Sequence, residues 1–139
     1  MKKRVLFLCT HNSCRSQMAE AIVNHDLGER FQAFSAGTEA TRVHPLAVRV
    51  LGEIGIDSSA QYSKTLDAFE GEPFDYVITL CGSARELCPV FFGGVERVHI
   101  GFEDPSQLAG SPDEVLAAFR RVRDELRVRL TAYLAGGVS

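Results

Sequence analysis

The sequence predicts a doubly wound α/β domain, a four-stranded parallel sheet flanked by helices. Three observations carry this reading. Short apolar runs of the kind that form buried strands alternate with stretches of helical apolar spacing. The first run, Val5-Leu6-Phe7-Leu8, passes through a polar loop straight into the helical stretch Gln17 to Val23. At 139 residues, with no repeat, linker or low-complexity segment, the chain is expected to form one domain over residues 1–139, acting as a monomer.

The elements follow in order. The first helix is expected to begin near Ser16 and fade between Asn24 and Gly28, and Arg30 to Ala36 forms the second strand, ended by Gly37. His44-Pro45 opens a second helix, with proline in the first turn, and Ala47, Val50, Leu51 and Ile54 give its apolar face before Gly55. Ser63 to Phe69 predicts a short helix or turn. Phe74 to Leu80 is a third strand that ends directly at Cys81, and Val95 to Ile100 is a fourth that leads into Asp104-Pro105. The last helix starts around Ser111-Pro112-Asp113-Glu114, with a capping serine and two acids at its positive end. Val115, Phe119, Val122, Leu126, Leu130 and Tyr133 form its inward stripe, and Gly136-Gly137 ends it. Arginines 120, 121, 123, 127 and 129 are expected on its solvated face.

Composition narrows the function. The chain is 45% hydrophobic and 24% charged with a net charge of −3, and it carries no basic patch. General affinity for nucleic acid or membrane surfaces is therefore not expected. The basic start Met1-Lys2-Lys3-Arg4 precedes an apolar run too short for a signal peptide, broken at once by His11, Asn12 and Arg15. No segment has the length of a membrane span. The expected compartment is the cytoplasm, where four cysteines point to catalysis, redox work or metal rather than structural disulfides.

The loop after the first strand carries the clearest chemistry. Its backbone N–H groups lack strand partners and adjoin the free donors of a helix N-terminus, so it is suited to wrap an anion. Cys9 opens the loop, where the N–H dipoles and the Arg15 guanidinium favour a nucleophilic thiolate. Arg15 closes it with a planar fork matched to two oxygens of a tetrahedral oxyanion. Thr10, His11, Asn12, Ser13, Cys14, Arg15 and Ser16 are the expected anion-binding residues. Ser13 and Ser16 can approach the sulfur or cap the helix, and Asn12 tolerates left-handed backbone. As far as this loop goes, it resembles the anion loop of low-molecular-weight protein tyrosine phosphatases.

Ligands of such sheets bind at the carboxyl ends of strands, so Cys9, Cys81 and Asp104 are expected to converge. Asp104, held in extended or turn geometry by Pro105, can serve there as a general acid. Cys81 and Cys88 form a second constellation. The Cys-x4-Cys and Cys-x6-Cys spacings do not match the close pairs of structural zinc sites, so no metal is expected. A helical Ser83 to Leu87 would separate the Cys81 and Cys88 Cα atoms by about 10 Å. A disulfide needs roughly 4.4 to 6.8 Å. Bridging them therefore requires the intervening turn to unwind, which leaves a strained and readily reduced bond. The plain alternative is two thiols that pack as small hydrophobes.

Taken together, Cys9-x5-Arg15, Cys81, Cys88-Pro89-Val90 and Phe102-Glu103-Asp104-Pro105 resemble the thioredoxin-coupled arsenate reductases built on the low-molecular-weight phosphatase fold. The resemblance runs from Val5 to about Leu134. It implies arsenate reduction in which Cys9 attacks arsenic and Asp104 protonates the leaving hydroxide. Cys81 then attacks Cys9, Cys88 attacks the resulting disulfide, and reduced thioredoxin recharges the protein, with no bound cofactor. It also implies weak phosphatase side activity, and a tyrosine phosphatase is the alternative reading, although Ser106-Gln107 lacks that class's aromatic pair. Relatives that bind potassium use residues matching Asn12, Glu20 and Ser35 with an acidic residue at position 64. This chain has Lys64, whose ammonium is expected to replace the ion. Cys14 matches the family loop without a part in the relay.

Overall fold

In a computed structural model of the chain, which describes residues 2–81 and 94–135, four parallel strands form one sheet in the order β2-β1-β3-β4. They are β1 (Lys3–Cys9), β2 (Phe31–Gly37), β3 (Phe74–Thr79) and β4 (Gly94–His99). The helices are α1 (Arg15–Asp26), α2 (Pro45–Glu53) and α3 (Pro112–Ala135), with short 3-10 turns at Leu66–Phe69 and Pro105–Gln107. Cys88, the expected helical turn from Ser83 to Leu87 and the glycines after α3 lie outside the described residues.

The register places the chemistry. β1 runs between β2 and β3, so its carboxyl end is central; Cys9 pairs with Gly37, and Leu8 with Thr79. Val5 to Leu8 are inaccessible to solvent, which explains why this strand reads as an unbroken apolar run rather than an alternating one. One face of the sheet packs Val5, Phe7 and Ile78 against Met18 and Ile22 of α1, Val50 and Leu51 of α2, and Phe119, Val122, Leu126 and Leu130 of α3. The other face holds Leu6, Leu8, Ala36, Phe74 and Val77 beneath Phe69 of the first 3-10 turn. At the edge, β4 is largely exposed.

Local signals account for the helix ends. The His44 ring nitrogen accepts from the Leu46 N–H at 3.1 Å, capping α2, and Pro45 fills a position whose N–H has no helical partner. Ser111 and Glu114 close a reciprocal capping box at the start of α3, with bonds of 3.2 and 2.9 Å. The inward stripe of α3 is turned slightly from the expected one. Leu116 and Leu134 reach the core, whereas Val115 and Tyr133 pack at its margin.

The arginine face of α3 is solvated at Arg120, Arg121 and Arg129 but not at Arg123. Arg123 is buried, donating to the Val50 carbonyl at 2.9 Å and pairing with Glu53 at 3.0 Å. Arg120 also pairs with Glu53, and Arg127 with Asp26, each at 2.7 Å. These side chains clamp α3 to α2 and α1. Carboxylates about 70 to 100 residues earlier neutralise them, a pairing that helical periodicity cannot reveal. No helix among the described residues is long and apolar enough to cross a membrane.

Candidate active site

β1 ends at Cys9 and α1 begins at Arg15, so residues 10–14 make the whole turn between sheet and helix. Asn12 absorbs the tightest part with φ 49°, the left-handed conformation that asparagine tolerates best among non-glycine residues. The turn has room because position 37, its neighbour on β2, is glycine. A Cβ there would stand 2.7 Å from Asn12 N, 2.7 Å from Thr10 O and 2.8 Å from Cys9 O.

The structure decides between the two roles open to Ser16. The residue before α1 makes no side-chain cap, and Ser16 Oγ lies 2.9 Å from Cys9 Sγ. Asn12 Nδ2 donates to that same Oγ at 2.8 Å. The Asn12 amide is oriented by two donors on its oxygen, the Lys64 N–H at 2.9 Å and Gln17 Nε2 at 3.0 Å. Ser16 Oγ accepts from Asn12 and keeps a hydrogen of its own within reach of the sulfur. Asn12, Ser16 and Gln17 are fully buried, so α1 presents polar groups inward and is not amphipathic in the ordinary way.

A cavity of about 230 Å³ opens above the loop. The loop contributes Cys9, His11, Ser13, Cys14 and Arg15 to its lining, and Thr41, Asp104 and Ser106 complete it. Thr10, Asn12 and Ser16 lie outside that lining and act as its support: the Thr10 carbonyl accepts from the Thr38 and Glu39 N–H groups at 2.8 and 3.1 Å. Thr41 and Ser63 both donate their hydroxyls to the His11 carbonyl at 3.2 Å.

Arg15 is 2% exposed and held from three sides. Its Nη1 donates to the Phe102 carbonyl at 3.0 Å and more weakly to that of Leu80 at 3.4 Å, and its Nη2 lies 3.5 Å from Asp104 Oδ2. Of the three residues expected to converge, Cys9 and Asp104 line one cavity together with Arg15, whereas Cys81 is not among its lining residues. Cys81 is buried at the end of β3, directly after Leu80, whose N–H donates to the Leu8 carbonyl beside Cys9 at 2.9 Å. Cys9, Cys14 and Cys81 form no disulfide. Burial, reinforced by the negative charges of Asp104 and Cys9, pushes the Cys14 thiol up to about 12, so it stays protonated at neutral pH.

Behind the loop, Lys64 Nζ donates to the Tyr62 carbonyl at 2.8 Å and the Ser35 carbonyl at 3.1 Å, 3.9 Å from Glu20 Oε1. Ser35 Oγ donates to that carboxylate at 2.6 Å. Burial lowers the Lys64 pKa and raises that of Glu20, with each charge partly offsetting the other's shift. These residues do not fit a potassium ion, since the Lys64 ammonium already stands beside the Glu20 carboxylate and on the Ser35 carbonyl. Sequence reasoning gave no role to Gln17, Thr41, Ser63 or Ser106. The available signal was polar residues inside otherwise apolar or turn-forming stretches, which does not say what they touch.

A cysteine at a strand end, a helix N-terminus and a buried arginine closing a five-residue turn define a class, and comparison agrees. The chain belongs to the low molecular weight phosphotyrosine protein phosphatase family, whose profile matches residues 4–136. Within that family it is similar to the arsenate reductases. It is 48% identical to the arsenate reductase of Halalkalibacterium halodurans over 136 residues, 98% of either chain, and 44% identical to that of Bacillus subtilis over 97% of each. A solved arsenate reductase in its reduced state superposes with a TM-score of 0.79 at 35% identity, covering 99% of this chain and all of the other. The low molecular weight protein tyrosine phosphatase of T. tengcongensis superposes at 0.67 with 28% identity, covering 99% and 100%.

Proposed function

We propose that this chain reduces arsenate to arsenite by a three-cysteine relay recharged by thioredoxin. Arsenate binds in the cavity against Arg15 and the loop N–H groups. The Cys9 thiolate attacks arsenic, forming an S–As bond, and a hydroxide leaves as water with the proton of Asp104. The Cys81 thiolate then attacks Cys9 sulfur. The S–S bond forms as the S–As bond breaks, its electron pair stays on arsenic, and arsenite departs. Cys88 attacks Cys81 of that disulfide, which frees Cys9 and leaves Cys81–Cys88 oxidised. Reduced thioredoxin supplies two electrons and two protons to restore both thiols. Such a cycle suits the reducing cytoplasm.

The observation that carries this reading is Cys81, a second buried cysteine in no disulfide, at the end of the strand beside that of Cys9. A phosphatase needs the loop and Asp104 but has no use for that thiol. Ser106 stands in the cavity lining where an aromatic wall would grip a phenyl ring. The test is arsenate-dependent NADPH oxidation in the presence of thioredoxin and thioredoxin reductase. Turnover supports the relay; hydrolysis of an aryl phosphate without arsenate turnover moves the assignment to phosphatase.

The Lys64 ammonium predicts a further property. Steady-state turnover in potassium and in sodium salts of equal ionic strength should agree within about twofold, because the fixed cation already serves the Glu20–Ser35 site. Specific potassium activation would overturn that replacement.

A further inference from the structure

Asp104 has to present one carboxylate oxygen to the anion, yet Pro105 restrains only its backbone, not the rotation of its side chain. Ser106 supplies the missing restraint. Its N–H and its hydroxyl both donate to Oδ1 of Asp104, at 3.0 and 2.6 Å, and the Cys14 thiol faces the same oxygen at 3.9 Å. All these donors converge on one oxygen. Oδ2 is left facing Arg15 Nη2 at 3.5 Å on the cavity side.

We infer that Ser106 is a positioning residue for Asp104: its hydroxyl fixes Oδ1 so that Oδ2 is the oxygen presented to the leaving group of a bound oxyanion. This deepens the proposed function and rests on its assignment of Asp104 as the proton donor. The backbone N–H bond would survive replacement by alanine, since only the side chain is lost. What disappears is the shorter bond, and with it the barrier to carboxylate rotation. Without the hydroxyl, the residue 106 N–H is the one donor from that residue left on Oδ1. About a tenfold loss in rate follows.

The experiment measures single-turnover arsenite release, arsenate KM and phosphate inhibition for the full chain and for Ser106→Ala, Ser106→Thr, Asp104→Asn and the double variant Asp104→Asn with Ser106→Ala. Ser106→Ala should slow arsenite release about tenfold with KM and the phosphate inhibition constant within about twofold of wild type. Ser106→Thr should restore the rate, and Ser106→Ala should add nothing in the Asp104→Asn background. A Ser106→Ala rate equal to wild type overturns the inference while leaving Asp104 in its role. A rise in KM, or a further loss in the double variant, overturns it by making Ser106 a direct contact of the anion. An Asp104→Asn variant as fast as wild type removes the proton donor itself, and the inference falls with that reading.

Discussion

Arg15→Lys is expected to lower kcat/KM for arsenate by at least about a hundredfold, because it removes a donor fork that the fold has fixed in advance of the substrate. Arg15 is buried, and one of its terminal nitrogens is committed to the Phe102 carbonyl at 3.0 Å. The other lies 3.5 Å from Asp104 at the cavity. A planar guanidinium can hold its place against the strand ends with one nitrogen while meeting the anion with another. An ammonium is a single centre and has to abandon one of the two. Leaving the Phe102 carbonyl without its donor also costs about 1 to 3 kcal/mol of stability, measurable by urea unfolding. A lysine variant with near wild-type kcat/KM would mean that the loop N–H groups hold the anion without the fork.

Gly37→Ala should be nearly as damaging, although residue 37 is not among those that line the cavity. The added methyl would meet Asn12 N, Thr10 O and Cys9 O at 2.7 to 2.8 Å, and all three are backbone atoms. No rotamer change relieves such a contact. Either β2 retreats from β1 or the anion loop shifts, and the loop is the element that carries Cys9. Overpacking of this kind costs about 1 to 3 kcal/mol. A displacement of even 1 Å at reacting atoms costs about a hundredfold in rate. The expected result is a folded protein with a lower urea midpoint and arsenate turnover reduced about a hundredfold. Unchanged turnover would show that the loop accommodates the methyl without moving Cys9.

The parts of this site that could be read in the sequence are those set by local chemistry. Val5 to Leu8 is a continuous apolar run because β1 is covered on both faces, and the polar stretch after it marks the turn into α1. The rule that ligands gather at strand carboxyl ends brought Cys9, Cys81 and Asp104 to one end of the sheet before any coordinates. What stayed hidden depends on partners distant in sequence. Ser16 had two plausible roles, and the Asn12 amide, oriented by Lys64 and Gln17, holds its oxygen beside the sulfur. Arg123 looked solvated because its helical position alternates with polar residues, yet Glu53 and the Val50 carbonyl draw it inward. Ser106 was noticed for the aromatic it replaces rather than for the carboxylate oxygen it binds.

The relay is tested most directly by counting arsenite released by Cys88→Ser, alongside NADPH oxidation in the thioredoxin-coupled assay. The account predicts that continuous turnover disappears while the variant still releases about one arsenite per chain, since Cys9 and Cys81 suffice for one reduction and only Cys88 can return Cys9 to the thiol. Continuous turnover by Cys88→Ser at the wild-type rate, or release of no arsenite at all, would contradict it.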